Sequence, residues 1–200
     1  MNTLLVKEIN AFLTSLIDYI VMIVFLLVTG LFLWVFDADT NILDSGYADL
    51  GPLFFIAPWV FLFLIPAITM RSLAEERRTG TLEWLVTKPL TSFQIILSKY
   101  FAGLILVLIT LAPTFIYVLS IYFLGNPVGN IDFGGTWGSY IGLVFLAASF
   151  VAIGIFSSSV TENQVVAFIL ATFLSFFLFT GFESIASFNF FGGADAFIIN

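Results

Sequence analysis

Five long apolar stretches decide what this chain can fold into. They lie near residues 19–36, 53–70, 100–124, 137–156 and 165–182. Each is long enough to cross a bilayer, which takes about 20 helical residues. Of the 200 residues, 60% are hydrophobic and 10% are charged, whereas soluble domains are about 45–50% apolar and about 25% charged. The sequence therefore predicts an all-α polytopic membrane protein with five spans.

The interiors of these spans lack charged residues, and two of the spans contain prolines. Pro58 and Pro66 lie in the second span and Pro113 in the third, and each lacks a backbone donor, so we expect kinks there. No Asp, Glu, Lys or Arg lies in the middle of a span, and we expect interfacial water to reach Asp18 and Glu183 at span ends. Ion-coupled transporters carry ionisable groups within the membrane. The driving force is therefore expected to act from outside the bilayer.

Catalytic chemistry is not indicated. The chain has no cysteine and no histidine, which excludes disulfides, thiol chemistry and histidine-based metal or acid–base sites. Thr110, Ser149 and Ser175 lie within spans, where hydroxyls more often bond to the helix backbone or to a neighbouring helix. Without paired intramembrane carboxylates, an intramembrane enzyme is not expected, and neither is a metal site.

All six basic residues fall on one side of the predicted topology. Lys7 precedes the first span, and the other five lie in residues 71–99, between the second and third spans. The positive-inside rule places these segments, and with them the N-terminus, in the cytoplasm. By alternation, the loop at residues 157–164 is cytoplasmic too. The opposite loops carry no basic residue; their acidic residues are Asp37, Asp39, Asp44, Asp49 and Asp132.

The two ends of the chain have weaker patterns. In residues 4–17, apolar residues recur at helical spacing on one face and polar residues share another. The apolar set is Leu5, Ile9, Phe12 and Leu16, and the polar set is Lys7, Asn10, Thr14 and Asp18. We interpret residues 1–17 as an interfacial helix; the alternative is a simple extension of the first span. Residues 183–200 are too interrupted for a span, so we expect an external helix or a re-entrant segment.

The segment at residues 71–99 is organised like short capped helices. Arg71, Glu75 and Arg78 have the spacing of side chains that pair along one helical face. Gly80 can end that helix, and Thr81 can cap the next. Leu82, Leu85 and Val86 then form an apolar patch, and Pro89 stops the segment. Thr91 and Gln94 have the spacing of a capping box.

Two interpretations of this segment are open. An ordinary cytoplasmic loop needs positive charge for topology, but it needs no balancing acidic residues and no capped break. Mixed charge on short helices held at the membrane face is typical of a docking surface for a cytoplasmic partner. We therefore favour the docking surface.

Residues 75–99, EERRTGTLEWLVTKPLTSFQIILSK, resemble the signature of ABC-2 type transporter permeases. That signature has Glu-Arg, Gly-Thr-Leu-Glu, a Leu pair, Pro-Leu-Ser/Thr and a Lys that opens the third span. Residues 157–167, SSSVTENQVVA, resemble more weakly the family's loop between spans four and five. The likeness is greatest to the gliding-motility permeases of Bacteroidetes (GldF type) and the related copper-maturation (NosY-like) permeases.

The resemblance implies one ABC-2 transmembrane domain over residues 1–200, with a type V exporter-like bundle, in the bacterial inner membrane. Its partners would be a cytoplasmic ABC ATPase, a second permease half (as a homo- or heterodimer) and membrane lipids, with no nucleic acid. Residues 71–90 would contain the coupling helix. The implied contact residues are Glu75, Glu76, Arg77, Gly80, Thr81, Leu82, Glu83 and Leu85, with Pro89 at the turn and Lys99 at the mouth of span three.

Two further expectations follow. This chain has no G-x-x-x-x-G-K phosphate loop, so ATP and Mg would be bound by the ATPase, with no cofactor here. The family has six spans with both ends cytoplasmic, so we expect this sequence to be a fragment that lacks a sixth span after an external segment at residues 183–200. A function from another class stays open: a non-transporting membrane scaffold that anchors cytoplasmic or envelope machinery.

Overall fold

The computed structural model describes residues 2–81 and 91–187. All regular structure in these residues is helical. The helices are α1 (Asn2–Leu13), α2 (Leu16–Trp34), α3 (Ile42–Ser45), α4 (Gly51–Thr69), α5 (Ala74–Arg78), α6 (Ser92–Leu111), α7 (Phe115–Leu124), α8 (Phe133–Val160) and α9 (Gln164–Ser187). A 3₁₀ turn, Ala112–Thr114, joins α6 to α7.

Five helical stretches in the described residues are long and apolar enough to cross a membrane. They are Leu16–Trp34, Gly51–Arg78, Ser92–Leu124, Phe133–Val160 and Gln164–Gly181. Their number and order confirm the predicted all-α polytopic fold. All five begin before the predicted spans, and the difference is largest for the third and fourth, where the side chains of Thr91 and Asp132 cap the helices.

Helix α4 is at the centre of the bundle. It packs against α2, α8 and α9, while α6 packs against α8 and α1 packs against α6. The core between these helices contains fully buried aromatic rings, such as Phe25 and Phe61, whose centroids are 5.2 Å apart. Many large apolar side chains lie on the outer surface, including Phe63, Phe145 and Phe173, as expected of a surface that contacts lipid.

The prolines have different outcomes in the two spans that contain them. Helix α4 continues through Pro58 and Pro66 without a break. The third span, in contrast, is interrupted at Pro113 by the 3₁₀ turn. Thr114 in this turn lies 2.9 Å from the Tyr140 hydroxyl, and both side chains are buried. The hydrogen bond fixes the break in span three against α8.

Helix α1 is a separate element, as one of the two open interpretations predicted, but its buried face is different. The chain leaves the helix at Thr14 and begins α2 at Leu16, which is 74% exposed. The buried stripe is Leu4, Glu8 and Phe12. Of the residues predicted to share an apolar face, Phe12 is buried and Leu5 and Ile9 are half-buried, because α1 turns Glu8 towards a buried lysine of α6.

Short helices and loops lie at the two ends of the bundle. One end contains α1, α5, the start of α6 and the end of α8, which hydrogen bonds hold together. The other end contains α3 and residues 125–132, which border a shared cavity. Of the described residues, the basic ones lie at the first end: Lys7, Arg71, Arg77, Arg78 and Lys99. The other end has acidic loops, as predicted. Glu183 lies within α9, and residues 188–200 of the predicted external segment lie outside the described residues.

Candidate functional site

Helix α5 forms the centre of the candidate site. The chain leaves α4 at Thr69, turns, and enters a five-residue helix with two glutamates in its first turn and two arginines in its last. This charge order favours the helix, because it complements the peptide dipoles. Gly80 follows with φ of +71°, a conformation that glycine adopts without strain. The prediction that Gly80 ends this helix is confirmed.

Ser158, at the end of α8, caps α5 from another part of the chain. Its Oγ accepts hydrogen bonds from the Leu73 and Ala74 amides, at 2.9 and 3.0 Å, and donates to the Met70 carbonyl at 3.0 Å. First-turn amides have no partner within their own helix, and here a fully buried hydroxyl supplies it. Sequence reasoning missed this role, since nothing near Ser158 in the sequence indicates a partner 85 residues away.

A close approach between α4 and α8 positions Ser158. Gly154 lies one helical turn before Ser158, and a Cβ added at Gly154 would lie 2.8 Å from the Thr69 Cβ. Only glycine allows the two helices to come this close. The crossing therefore places the end of α8 directly against the turn that leads from α4 to α5.

Lys99 joins three helices through a buried ion triad. Its Nζ lies 2.8 Å from Glu76 Oε1 on α5 and 3.2 Å from Glu8 Oε2 on α1. The Lys99 side chain is only 2% exposed. A buried charge is tolerated when it is paired and hydrogen-bonded. The triad consequently links the N-terminal helix, α5 and the start of span three.

Arg71 makes a second buried link, to the start of α2. Its guanidinium donates to Ser15 Oγ and Asp18 Oδ2. The prediction that Arg71 pairs with Glu75 and Arg78 is wrong, because Arg71 lies in the turn before α5 and faces α2 instead. The expected exposure of Asp18 to interfacial water is also wrong, since its side chain is fully buried in this ion pair.

The predicted contact residues divide into exposed and internal groups. Glu75, Arg77 and Thr81 are exposed at the surface of the bundle. Glu76 and Lys99, in contrast, are used within the ion triad. Leu82, Glu83, Leu85 and Pro89 lie outside the described residues.

The predicted capping box at the start of α6 is present. The Thr91 amide donates to Gln94 Oε1 at 3.2 Å, and the Gln94 amide donates to Thr91 Oγ1 at 3.3 Å. Two otherwise unpaired amides are satisfied in this way. The box sets where span three begins, and with it the position of Lys99 two turns later.

Metal chemistry has no evident site here. Within residues 2–81 and 91–187, no group of three or more acidic side chains is placed to hold a metal ion. The arrangement is instead one of mechanical contacts: a charged surface helix is held by buried hydrogen bonds and ion pairs to α1, α2, α6 and α8.

Comparison with known proteins gives one match. A family model described as "ABC-2 family transporter protein" matches residues 37–198. The matched region contains α4, α5 and the side chains of α6 and α8 that hold α5. The comparisons with curated proteins and with solved structures found no match. Because the family model covers most of the chain, this protein belongs to the ABC-2 family of transporter proteins.

Proposed function

We propose that this membrane permease subunit couples ATP hydrolysis by a separate cytoplasmic ABC ATPase to export or to work on envelope machinery. The observation that carries the proposal is the attachment of α5. Its charged surface is exposed, while Ser158 and the Lys99 triad fasten it to the bundle. A displacement of α5 by a partner would therefore be passed to spans two, three and four. Rigid-body motion of packed helices is a common route for such transitions.

The remaining parts of the machine are proposed on the same basis. ATP and Mg would be held by the ATPase, since this chain has no phosphate loop. A second permease half would complete a path between two bundles. The likeness of residues 75–99 to gliding-motility permeases supports a link to gliding motility.

Complex formation with an ABC ATPase tests the proposal. The tagged chain should co-purify with its ATPase, and charge reversals Glu75→Lys and Arg77→Glu should weaken that complex. Both side chains are exposed and hold nothing else in the described structure. Glu76→Lys is a poor probe, because Glu76 also pairs with Lys99. A complex that forms equally well with both reversals would contradict the coupling role of α5.

A scaffold is the second candidate, and the uncharged span interiors favour it. The two functions differ in their need for ATP hydrolysis. A transporter should fail when the ATPase carries an inactivating substitution in its catalytic glutamate or phosphate loop, whereas a scaffold should still function. The measurement is the gliding speed of the strain with the inactive ATPase, compared with that of the wild type.

A further inference from the structure

A cleft lies between α1 and α5 at the end of the bundle that carries the basic residues. It has a volume of about 430 Å³. Glu8 lines it from α1, Glu75 and Glu76 line it from α5, and Ser72 lies in the turn before α5. Lys99 forms part of the lining from α6.

The charges around this cleft do not cancel. Arg71 and Lys99 are its cations, but Arg71 is paired with Asp18, and Lys99 is shared between Glu8 and Glu76. Counting Asp18, four carboxylates face two cations, so the balance is two negative charges. Lys7 Nζ lies 3.7 Å from Glu8 Oε1. Lys7 and Glu75 are both exposed, so solvent screens both charges, and with Lys7 included the balance is one negative charge.

Two oxygen atoms of the lining have no partner among the described residues. Ser72 Oγ is buried without a hydrogen bond, in a residue that is only 8% exposed. Glu76 Oε2 is likewise buried and unpaired, while its Oε1 binds Lys99. A buried acceptor without a donor is costly. Ser72 and Glu76 both line the cleft, so a donor group that enters it would lie next to these two residues.

We propose that this cleft receives a lysine or arginine side chain of the ATPase partner, which would donate to Glu75, Glu76 Oε2 and Ser72 Oγ. This inference rests on the proposed function and makes it more specific. A cation-bearing side chain fits both the negative charge and the unpaired acceptors, and charge-assisted hydrogen bonds are the strong kind. An anionic lipid headgroup would be repelled. A metal ion is disfavoured, because no group of three acidic residues among those described is arranged to bind one.

The test measures the affinity of the ATPase for the chain reconstituted in lipid nanodiscs. The probe is the ABC ATPase that co-purifies with the chain, labelled with a fluorophore and titrated at about 0.05 M and about 0.5 M salt. Glu75→Gln should weaken binding roughly tenfold, since it removes a charged partner. Ser72→Ala should weaken it about threefold, and neither substitution disturbs the internal triad. The salt dependence should be smaller for Glu75→Gln than for wild type.

Glu162→Gln is the matched control. Glu162 is an exposed glutamate in the loop between α8 and α9, away from the cleft, and its neutralisation should leave the affinity unchanged. A charge swap then identifies the partner residue: Glu75→Lys should lose binding and regain it when one basic ATPase residue is changed to glutamate. If no such reversal restores binding, the pairing is overturned.

The remaining outcomes separate the two proposals. If the wild type binds the ATPase, and Glu75→Gln and Ser72→Ala each change the affinity by less than about twofold, the proposed role of the cleft is overturned. The ATPase partnership would still stand. If no ABC ATPase co-purifies with the wild-type chain, both proposals are overturned. Carbodiimide joins carboxylates to paired amines, so a high yield of Glu75–Lys88 or Glu76–Lys88 linkage in the isolated chain would show that the chain fills its own cleft, and the proposal would fail.

Discussion

At the scale of single residues, Ser158 offers a direct test of how α5 is held. Ser158→Ala removes the acceptor of the Leu73 and Ala74 amides and leaves both donors buried. We expect a loss of about 1–3 kcal/mol of stability, the cost of unsatisfied buried donors. Hydrogen exchange at residues 73–78 should become faster, and the proposed coupling to an ATPase should weaken.

Ser159→Ala is the control for this substitution. Among the described residues, the exposed Ser159 hydroxyl bonds to the Phe156 carbonyl of its own helix, at 2.6 Å, so its loss should change stability by no more than about 0.5 kcal/mol. Equal exchange rates at residues 73–78 in both variants would show that Ser158 does not hold α5.

Lys99 gives a second residue-scale prediction. Lys99→Met removes the cation between Glu8 and Glu76 and leaves Glu8 beside the exposed Lys7 and Glu76 without a basic partner among the described residues. Removing one partner of a buried ion pair typically costs about 3–5 kcal/mol, and thermal unfolding in detergent should show a loss of this size. The triple variant Glu8→Gln, Lys99→Met, Glu76→Gln should recover much of the loss. Lys7→Met, at an exposed lysine, should have little effect; a similar loss there would argue against the triad.

These residues show what could be predicted from the sequence and what could not. Gly80 and the Thr91–Gln94 capping box act on amides within a few positions, so their roles were predictable from spacing alone. Arg71 was assigned local partners and instead bonds to Asp18, 53 positions away. A side chain at a helix junction takes whichever buried charge the packing brings to it. Such partners depend on the tertiary arrangement.

At the scale of elements, the spans were predictable because a helix in lipid must satisfy its own backbone. Hydrophobic length alone then indicates a helix, and the described residues contain five such helices where five were expected. The side by which each helix packs was not predictable, since almost every side chain in a span is apolar. In α1 the buried stripe contains Glu8, because a favourable ion pair outweighs apolar periodicity.

The α4–α8 crossing leads to an element-scale prediction. Gly154→Ala would place a methyl group against Thr69 and push the two helices apart. Overpacking of this kind typically costs about 1–3 kcal/mol. The same shift would withdraw Ser158 from α5, so the proposed coupling to an ATPase should fall together with the unfolding temperature.

Gly142→Ala tests whether the effect belongs to this crossing. Gly142 is on the same helix, but a Cβ added there would meet nothing within 4 Å. Alanine is the better helix former by about 1 kcal/mol, so this variant should be neutral or slightly stabilised. If both variants lose stability equally, helix α8 is sensitive to any added methyl group and the close approach at Gly154 is not special.

At the scale of the whole molecule, charge is segregated between the two ends of the bundle. The end with α1 and α5 holds the five basic residues that the structure describes, and the opposite loops hold five aspartates. This separation follows from the chain alone, because alternation of spans brings the basic segments together. Which end faces the cytoplasm is a prediction from the positive-inside rule, and it decides whether α5 can meet an ATPase at all.

Single-cysteine labelling checks this orientation, and the chain is suited to it because it has no native cysteine. Asp44→Cys and Glu162→Cys place thiols at exposed positions at opposite ends of the bundle. In intact spheroplasts, a membrane-impermeant maleimide should label Asp44→Cys and leave Glu162→Cys unlabelled. Both should react equally after detergent solubilisation, which controls for accessibility. The reverse pattern would place α5 outside, where no ATP is available, and would remove the basis for coupling to a cytoplasmic ATPase.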